Sequence, residues 1–107
     1  MKKSIFCLLI INALASCTHK NEIVISVVKT PLVDVLVLDK NYTYSSYTIE
    51  VKGSVNDTIV INDKYKLCGE IDTVIKTDFY GGGKELRLIY KPYKASKGLL
   101  KITHYAN

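Results

Sequence analysis

Short runs of β-branched and aliphatic residues follow one another along most of this chain, and they favour a fold built from strands. The runs Ile23–Val28 and Leu32–Leu38 consist largely of valine, isoleucine and leucine, and β-branched residues are enriched in strands. In Tyr47–Lys52 apolar and polar residues alternate, which is the period of a half-buried strand. From residue 17 onward, no segment of about ten residues repeats its apolar residues at helical spacing. We therefore predict one small all-β domain, a β-sandwich, with a small barrel as the alternative.

Turn residues divide the predicted domain into about seven strands. Because proline lacks the N–H that a central strand needs, Thr30–Pro31 predicts an edge strand that kinks and changes sheets. Asn56–Asp57 has residue types that tolerate positive φ and predicts a tight turn, and Asn62–Asp63 predicts the end of the return strand. Gly81–Gly83 predicts a second turn, and Lys91–Gly98 predicts a longer connection before the last strand.

The last part of the chain adds a resemblance to this pattern. Tyr90–Pro92, followed by Gly98–Ile102, resembles the strand–loop–strand ending of many immunoglobulin-like bacterial domains. The resemblance implies an immunoglobulin-like architecture, which is the form of sandwich that we favour.

The first 17 residues have the order of an export signal. Lys2 and Lys3 precede an apolar stretch, Ser4–Leu14, and small residues follow it. A helix of that length spans roughly 16 Å, about half of a ~30 Å hydrocarbon core, so it is too short for a permanent transmembrane helix. Leu14-Ala15-Ser16-Cys17 resembles the lipobox of bacterial lipoprotein precursors. The resemblance implies cleavage before Cys17, a diacylglyceryl thioether on its sulfur and palmitate on its amine. An ordinary signal peptide with a chance cysteine is the alternative.

We accordingly predict a cleaved signal peptide at residues 1–16, the lipidated Cys17 with a short tether at residues 17–21, and a β-sandwich domain at residues 22–107. Thr18 follows Cys17 in place of the aspartate that retains enteric lipoproteins at the inner membrane. By that resemblance we favour the outer membrane. No acidic run of the kind that marks surface export follows Cys17, which favours the periplasmic face.

Charge and cysteine content exclude several classes of function. The formal net charge is +5, but acidic and basic residues are mixed along the chain, so we predict no nucleic-acid partner. Cys68 is the only cysteine of the predicted mature chain besides Cys17, so no disulfide can staple the domain. We predict a half-buried Cys68, with an intermolecular disulfide as the alternative.

Residues with catalytic or metal-binding chemistry are scattered. His19 lies on the predicted tether, and His104 is predicted at the rim of the last strand, so they do not form a metal site. His104 is the one plausible base for a nucleophile, and no Gly-x-Ser-x-Gly elbow accompanies it. We therefore predict no enzyme activity, cofactor, metal or small-molecule substrate.

Two surfaces remain as candidates for binding. The first is the tyrosine-rich segment with Tyr42, Tyr44 and Tyr47, whose composition is similar to that of recognition loops. The second surrounds Tyr93 and Lys94, in a basic run that also contains Lys91, Lys97 and Lys101. Tyrosines packed at a sheet rim and a solvated loop are the respective structural alternatives, and for the tyrosines we favour the packing.

The sequence thus predicts a non-catalytic lipoprotein of the cell envelope, anchored in the membrane, which binds a protein or a polysaccharide or has a structural role. The alternative is an inhibitor or immunity lipoprotein that blocks a toxin or a cell-wall hydrolase, since tethering raises local concentration.

Overall fold

The computed structural model describes residues 20–39, 41–81 and 85–107. Within these ranges the chain forms six strands: β1 (Lys20–Ile25), β2 (Leu32–Val37), β3 (Tyr44–Ile61), β4 (Tyr65–Gly81), β5 (Glu85–Lys91) and β6 (Gly98–Ala106). No helix in this part of the chain is long and apolar enough to cross a membrane. The predicted signal peptide, Cys17 and the turn residues Gly82 and Gly83 lie outside the described residues. The last two residues of the predicted tether belong to β1.

The described strands join in a single antiparallel sheet of order β1-β6-β3-β5-β2, and β4 pairs with the remaining edge of β3. The inner edge of the long strand β3 is shared, because residues 47–55 pair with β6 and residues 60–61 pair with β5. β1 pairs in turn with β6, and β2 with β5. β6 and β5 thus lie end to end along one edge of β3, and β1 and β2 lie end to end beside them. We call each such line of strands a ribbon, so the sheet has four ribbons in the order β1 with β2, β6 with β5, β3, and β4.

Two of these ribbons are interrupted, and the other two shift their pairing register, at about the same level, where the sheet folds onto itself. The first ribbon is interrupted at residues 26–31 and the second at residues 92–97, while the pairing of β3 with β4 shifts register between Val55 and Ile59. We call β1, β6, residues 47–55 of β3 and residues 69–77 of β4 the first layer. The second layer contains β2, β5, residues 59–61 of β3 and residues 65–67 of β4. The result is a nearly closed, barrel-like sheet.

We call the level at which the sheet folds the fold line. Beside it, two glycines allow the close approach of β3 and β6. Gly53 has a φ of 135° and Gly98 a φ of 150°, a region that side chains disfavour. A Cβ at Gly53 would overlap the Leu99 carbonyl oxygen, and a Cβ at Gly98 would overlap the Ser54 carbonyl oxygen. The geometry of the bend therefore requires glycine at both positions.

The core lies between the layers and receives the inward-facing residues of the described strands. Its fully buried large side chains, from both layers, are Tyr90, Ile49, Ile59, Ile61, Leu88, Leu100, Ile102, His104, Val28 and Val51. Tyr90 also links the fold line to the second layer, because its hydroxyl donates a 2.6 Å hydrogen bond to the Val28 carbonyl oxygen. The core therefore holds the layers together without a disulfide within the described residues.

Several predictions about the chain path are confirmed. The ribbon that contains Thr30–Pro31 lies at the sheet edge and bends between β1 and β2, but both strands belong to the same sheet, so the predicted change of sheet is wrong. The chain turns at Asn62–Asp63, where both residues have positive φ. The connection between β5 and β6 falls within the predicted Lys91–Gly98 segment.

The tight turn predicted at Asn56–Asp57 is wrong, because β3 continues through both residues. The Asn56 side chain instead holds the β5–β6 loop. Its Oδ1 accepts hydrogen bonds from the backbone N–H groups of Ser96 (2.9 Å) and Lys97 (3.0 Å). An asparagine, a residue type that favours turns, therefore joins β3 to the β5–β6 loop through long-range hydrogen bonds.

Two further predictions change. The immunoglobulin-like sandwich is not confirmed, because the described strands form one continuous sheet and not two separate ones. The all-β class and the single small domain are confirmed.

Cys68 is exposed on β4 and not half-buried, because its side chain alternates with the inward-facing Leu67.

Candidate functional site

A chain of polar side chains crosses the core and joins the two layers. His104 on β6 is fully buried, and its Nδ1 lies 2.9 Å from the Tyr47 hydroxyl on β3. Its other ring nitrogen, Nε2, lies 2.7 Å from Oδ2 of Asp34 on β2. We call Tyr47, His104 and Asp34 the interlayer relay. It is the only place among the described residues where a histidine, a carboxylate and a hydroxyl form one connected group.

Strand register brings these residues together. Tyr47 pairs with Ala106 and Ile49 pairs with His104, so Tyr47 and His104 are diagonal neighbours on the inner face of the first layer. Their rings meet edge to face, with centroids 5.9 Å apart. Asp34 faces inward from the second layer. The prediction of His104 at the sheet rim is therefore wrong, since the second layer covers its side chain.

Each ring nitrogen of His104 has one polar partner, Nδ1 the Tyr47 hydroxyl and Nε2 the Asp34 carboxyl, and the tautomer of the ring sets which group donates in each contact. Burial, and to a lesser extent the negative charge of Asp34, raises the pKa of Tyr47 far above its ordinary value. Tyr47 therefore keeps its proton. The ring of His104 is sealed from solvent, whereas the Asp34 side chain is 33% exposed, and together the three side chains link the two layers.

Asn21 on β1 extends the relay to the open edges of the sheet. Its Nδ2 donates to Asp34 Oδ2 and to the backbone carbonyl oxygen of Val35, both at 3.0 Å. This side chain fastens the edge strands of the two layers to one another. Within the described residues, no buried side-chain nitrogen or oxygen lacks a hydrogen-bond partner.

The tyrosine-rich segment mostly serves the core. Tyr44 and Tyr47 are buried, so the predicted binding surface loses both rings, in agreement with the packing alternative. The Tyr44 hydroxyl accepts a hydrogen bond from the Asp39 N–H at 3.0 Å. Tyr42 is exposed, and its ring lies 4.7 Å from that of Tyr44.

The second predicted surface is open to solvent. The Tyr93 side chain is 61% exposed at the loop between β5 and β6, and Lys94 follows it. The Lys94 ammonium lies 5.7 Å from the Tyr93 ring centroid, and the Lys66 ammonium lies 5.5 Å from it. Lysines over an aromatic face are attracted by its quadrupole. Register adds Lys91, since Lys66 and Lys91 both pair with Val60 and so share the outer face of the second layer. We call Lys66, Lys91, Tyr93 and Lys94 the Tyr93 surface.

Other members of the predicted basic run lie elsewhere or are paired. Lys101 lies in the first layer and forms a 2.7 Å salt bridge with Glu22, which raises the pKa of the lysine. Lys91 forms a 2.6 Å salt bridge with Asp63, and both partners are more than half exposed. The Tyr93 surface therefore retains Lys66 and Lys94 as cations that no acidic partner in the described residues neutralises.

Neither Lys66 nor the interlayer relay was predicted from the sequence. Lys66 belongs to β4, about 25 positions before Lys91, and only the shared pairing with Val60 reveals that they are neighbours. In the part of the chain that is described, no group of three or more histidine, cysteine or acidic side chains could hold a metal ion.

Comparisons with known proteins identify no family for this chain. No family model matches the sequence. No curated protein matches it either. Among solved structures it is similar to a de novo designed double-stranded β-helix, with 11% identity, 84% of this chain and 100% of the other covered, and a TM-score of 0.47.

Two further structures have similar values. PirA matches with 7% identity over 86% of this chain and 96% of its own, at a TM-score of 0.45. The SPBc2 prophage-derived protein YomS matches with 9% identity over 85% of this chain and 97% of its own, at a TM-score of 0.47. Similarities at this level carry no argument about function.

Proposed function

We propose that this chain is a lipid-anchored envelope protein whose domain binds an anionic partner through the Tyr93 surface. The observation that carries the binding role is the exposed Tyr93 ring between the ammonium groups of Lys66 and Lys94. The anchor rests on the lipobox Leu14-Ala15-Ser16-Cys17. Neither part depends on the immunoglobulin-like strand arrangement that we predicted.

The chemistry of the surface favours an anion over an apolar ligand. Lysine ammonium groups are compact point charges that attract carboxylates and phosphates. The Tyr93 ring supplies a rigid flat contact with few rotatable bonds, so little entropy is lost when it is covered. The buried position of His104 supports a non-catalytic role, since the predicted candidate base has no access to solution.

The anchor supports an envelope location at the outer membrane, on its periplasmic face. One acyl chain holds a protein only marginally, whereas two or more hold it stably. The tether is short, because three residues beyond Cys17 reach at most about 11 Å when extended. A domain whose first strand begins at Lys20 would therefore stay close to its membrane.

The anchor is tested by metabolic labelling of the full chain with palmitate in a Gram-negative host. We expect label in the membrane fraction, and Cys17→Ala should abolish the label and leave the protein unprocessed. Cys68→Ser is the matched control and should label normally. A wild-type chain without label would refute the anchor.

Binding is tested with the detergent-solubilised full chain on immobilised polygalacturonate, an anionic polymer, with uncharged dextran as the reference matrix. The double variant Lys66→Glu/Lys94→Glu should bind about tenfold more weakly, since each reversal replaces attraction by repulsion. The control Lys76→Glu changes an exposed lysine of β4 away from this surface. Equal retention of all three proteins, or equal retention on dextran, would refute the Tyr93 surface as an anion site.

A further inference from the structure

A row of exposed valines lies on the same face as the Tyr93 surface. Val33, Val35 and Val37 alternate along β2 with inward-facing residues, and Val33 and Val37 are 56% and 71% exposed. Val33 pairs with Ile89 on β5, whose outer face continues to Lys91. Edge strands of soluble domains usually carry charges that discourage contact. This row has none over about 13 Å of strand.

The face thus combines apolar and basic parts. Toward the fold line it contains Lys66, Lys91 and Lys94, and along its free edge it contains the valines. Two acidic groups of this face form salt bridges, Asp63 with Lys91 and Glu85 with Arg87, the latter at 3.0 Å. Apolar side chains beside a basic patch are the arrangement by which peripheral proteins contact a membrane with anionic lipids.

The position of Asn21, four residues after Cys17, favours the bilayer as the surface that covers this face. Asn21 lies against the middle of the valine row, since its Nδ2 donates to the Val35 carbonyl oxygen at 3.0 Å. Cys17 precedes Asn21 by four residues, so its sulfur is attached within roughly 14 Å of that contact at full extension. The same hydrogen bond occupies the carbonyl oxygen that an added strand would use, which disfavours edge pairing with a second copy.

We propose that the outer face of the second layer rests on the membrane that holds Cys17, with the valine row in the interfacial region and Lys66 and Lys94 against anionic headgroups. The inference rests on the proposed function, because it requires the anchor, and it names the partner of the Tyr93 surface as lipid.

The chain contains no tryptophan, so a single introduced indole can report contact with lipid. The full lipidated chain with Val37→Trp or Val33→Trp is reconstituted in phosphatidylglycerol vesicles with and without brominated acyl chains. We expect brominated lipid to quench the emission of both variants. Val74→Trp is the matched control, since Val74 is 62% exposed on β4 in the first layer, and its emission should be unaffected.

The basic part is tested in the same vesicles. Adding Lys66→Glu/Lys94→Glu to Val33→Trp should reduce the quenching, and so should neutral phosphatidylcholine, whereas Lys76→Glu should not. If the chain carries the palmitate label but brominated lipid quenches neither Val33→Trp nor Val37→Trp, the contact of this face with the membrane is refuted, while the anchor is supported. A blue-shifted emission that brominated lipid does not quench would indicate a protein contact and would equally refute it. Loss of the palmitate label would overturn both proposals.

Discussion

The interlayer relay and the Tyr93 surface use similar side chains for opposite purposes. In the relay, Tyr47 hydrogen-bonds His104 inside the core, and His104 meets Asp34 of the other layer. At the Tyr93 surface, a tyrosine of the same chemistry lies in solvent beside two ammonium groups. Burial makes polar contacts strong and their loss costly, whereas exposure leaves them weak but available to a partner. We therefore expect changes in the relay to alter stability and changes at the surface to alter binding.

The largest expected effect is that of His104→Ala. The substitution opens a cavity between the layers and leaves the Tyr47 hydroxyl without its partner, for which we expect a loss of about 3 kcal/mol of unfolding free energy. Chemical denaturation followed by far-UV circular dichroism measures it. Thr103→Ala, at the adjacent position on β6, is the control and should cost less than about 1 kcal/mol. Equal losses in the two variants would show that the relay contributes nothing of its own.

Tyr47→Phe isolates one hydrogen bond of the relay. It keeps the ring against His104 but removes the hydroxyl, so Nδ1 of His104 is left buried without its hydrogen-bond partner. We expect a cost of about 2 kcal/mol in the same denaturation experiment. Tyr93→Phe removes an exposed hydroxyl and should change stability by less than about 0.5 kcal/mol. If both substitutions cost the same, the contrast between buried and exposed tyrosine fails.

The raised pKa of Tyr47 predicts how stability depends on alkaline pH. Unfolded tyrosine ionises near 10.0, and burial keeps the folded group protonated above that pH. The unfolded state then binds fewer protons than the folded state, so stability is intact below pH 10 and falls as pH rises above it. The slope for one group is at most about 1.4 kcal/mol per pH unit. Denaturation midpoints between pH 8 and pH 11 measure it, and Tyr47→Phe should flatten the decline. The remaining decline belongs to Tyr90 and Tyr105, whose pKa values burial also raises, and to Lys101, whose pKa is raised by its contact with Glu22.

Local features of the sequence were sufficient to predict several parts of the fold. The strand periodicity, the kinked edge ribbon at Thr30–Pro31 and the end of a strand at Asn62–Asp63 depend on residue preferences within a few positions. Asn56–Asp57 has the same preferences, yet β3 continues there. The reason is long-range, because Asn56 bonds a loop 40 positions away.

The candidate sites depended even more on contacts between distant segments. His104 and Asp34 are 70 positions apart and belong to different layers, so nothing near either residue indicates a buried pair. Tyr44 and Tyr47 have the composition of a recognition loop, but their burial depends on how the layers meet. Tyr93 and Lys94 could be identified because solvent-exposed neighbours in a loop are also neighbours in sequence. Lys66 could not, since its proximity to them arises from pairing between β3 and β4.

The smallest expected effect on stability completes the contrast. Lys66 and Lys94 are exposed, and their interaction with the Tyr93 ring is worth about 0.5–1 kcal/mol at most at such a site. Lys66→Ala and Lys94→Ala should therefore shift the unfolding free energy by less than about 0.5 kcal/mol each, because alanine avoids the rotamer entropy that the ordered lysine loses on folding, which offsets part of the loss. The same variants should weaken retention on polygalacturonate, and the difference from wild type should shrink as salt is added, since screening removes surface electrostatics first. A variant that lost stability and binding together would contradict the contrast with the interlayer relay, whereas one that lost only binding would show that these exposed lysines contribute to binding and not to stability.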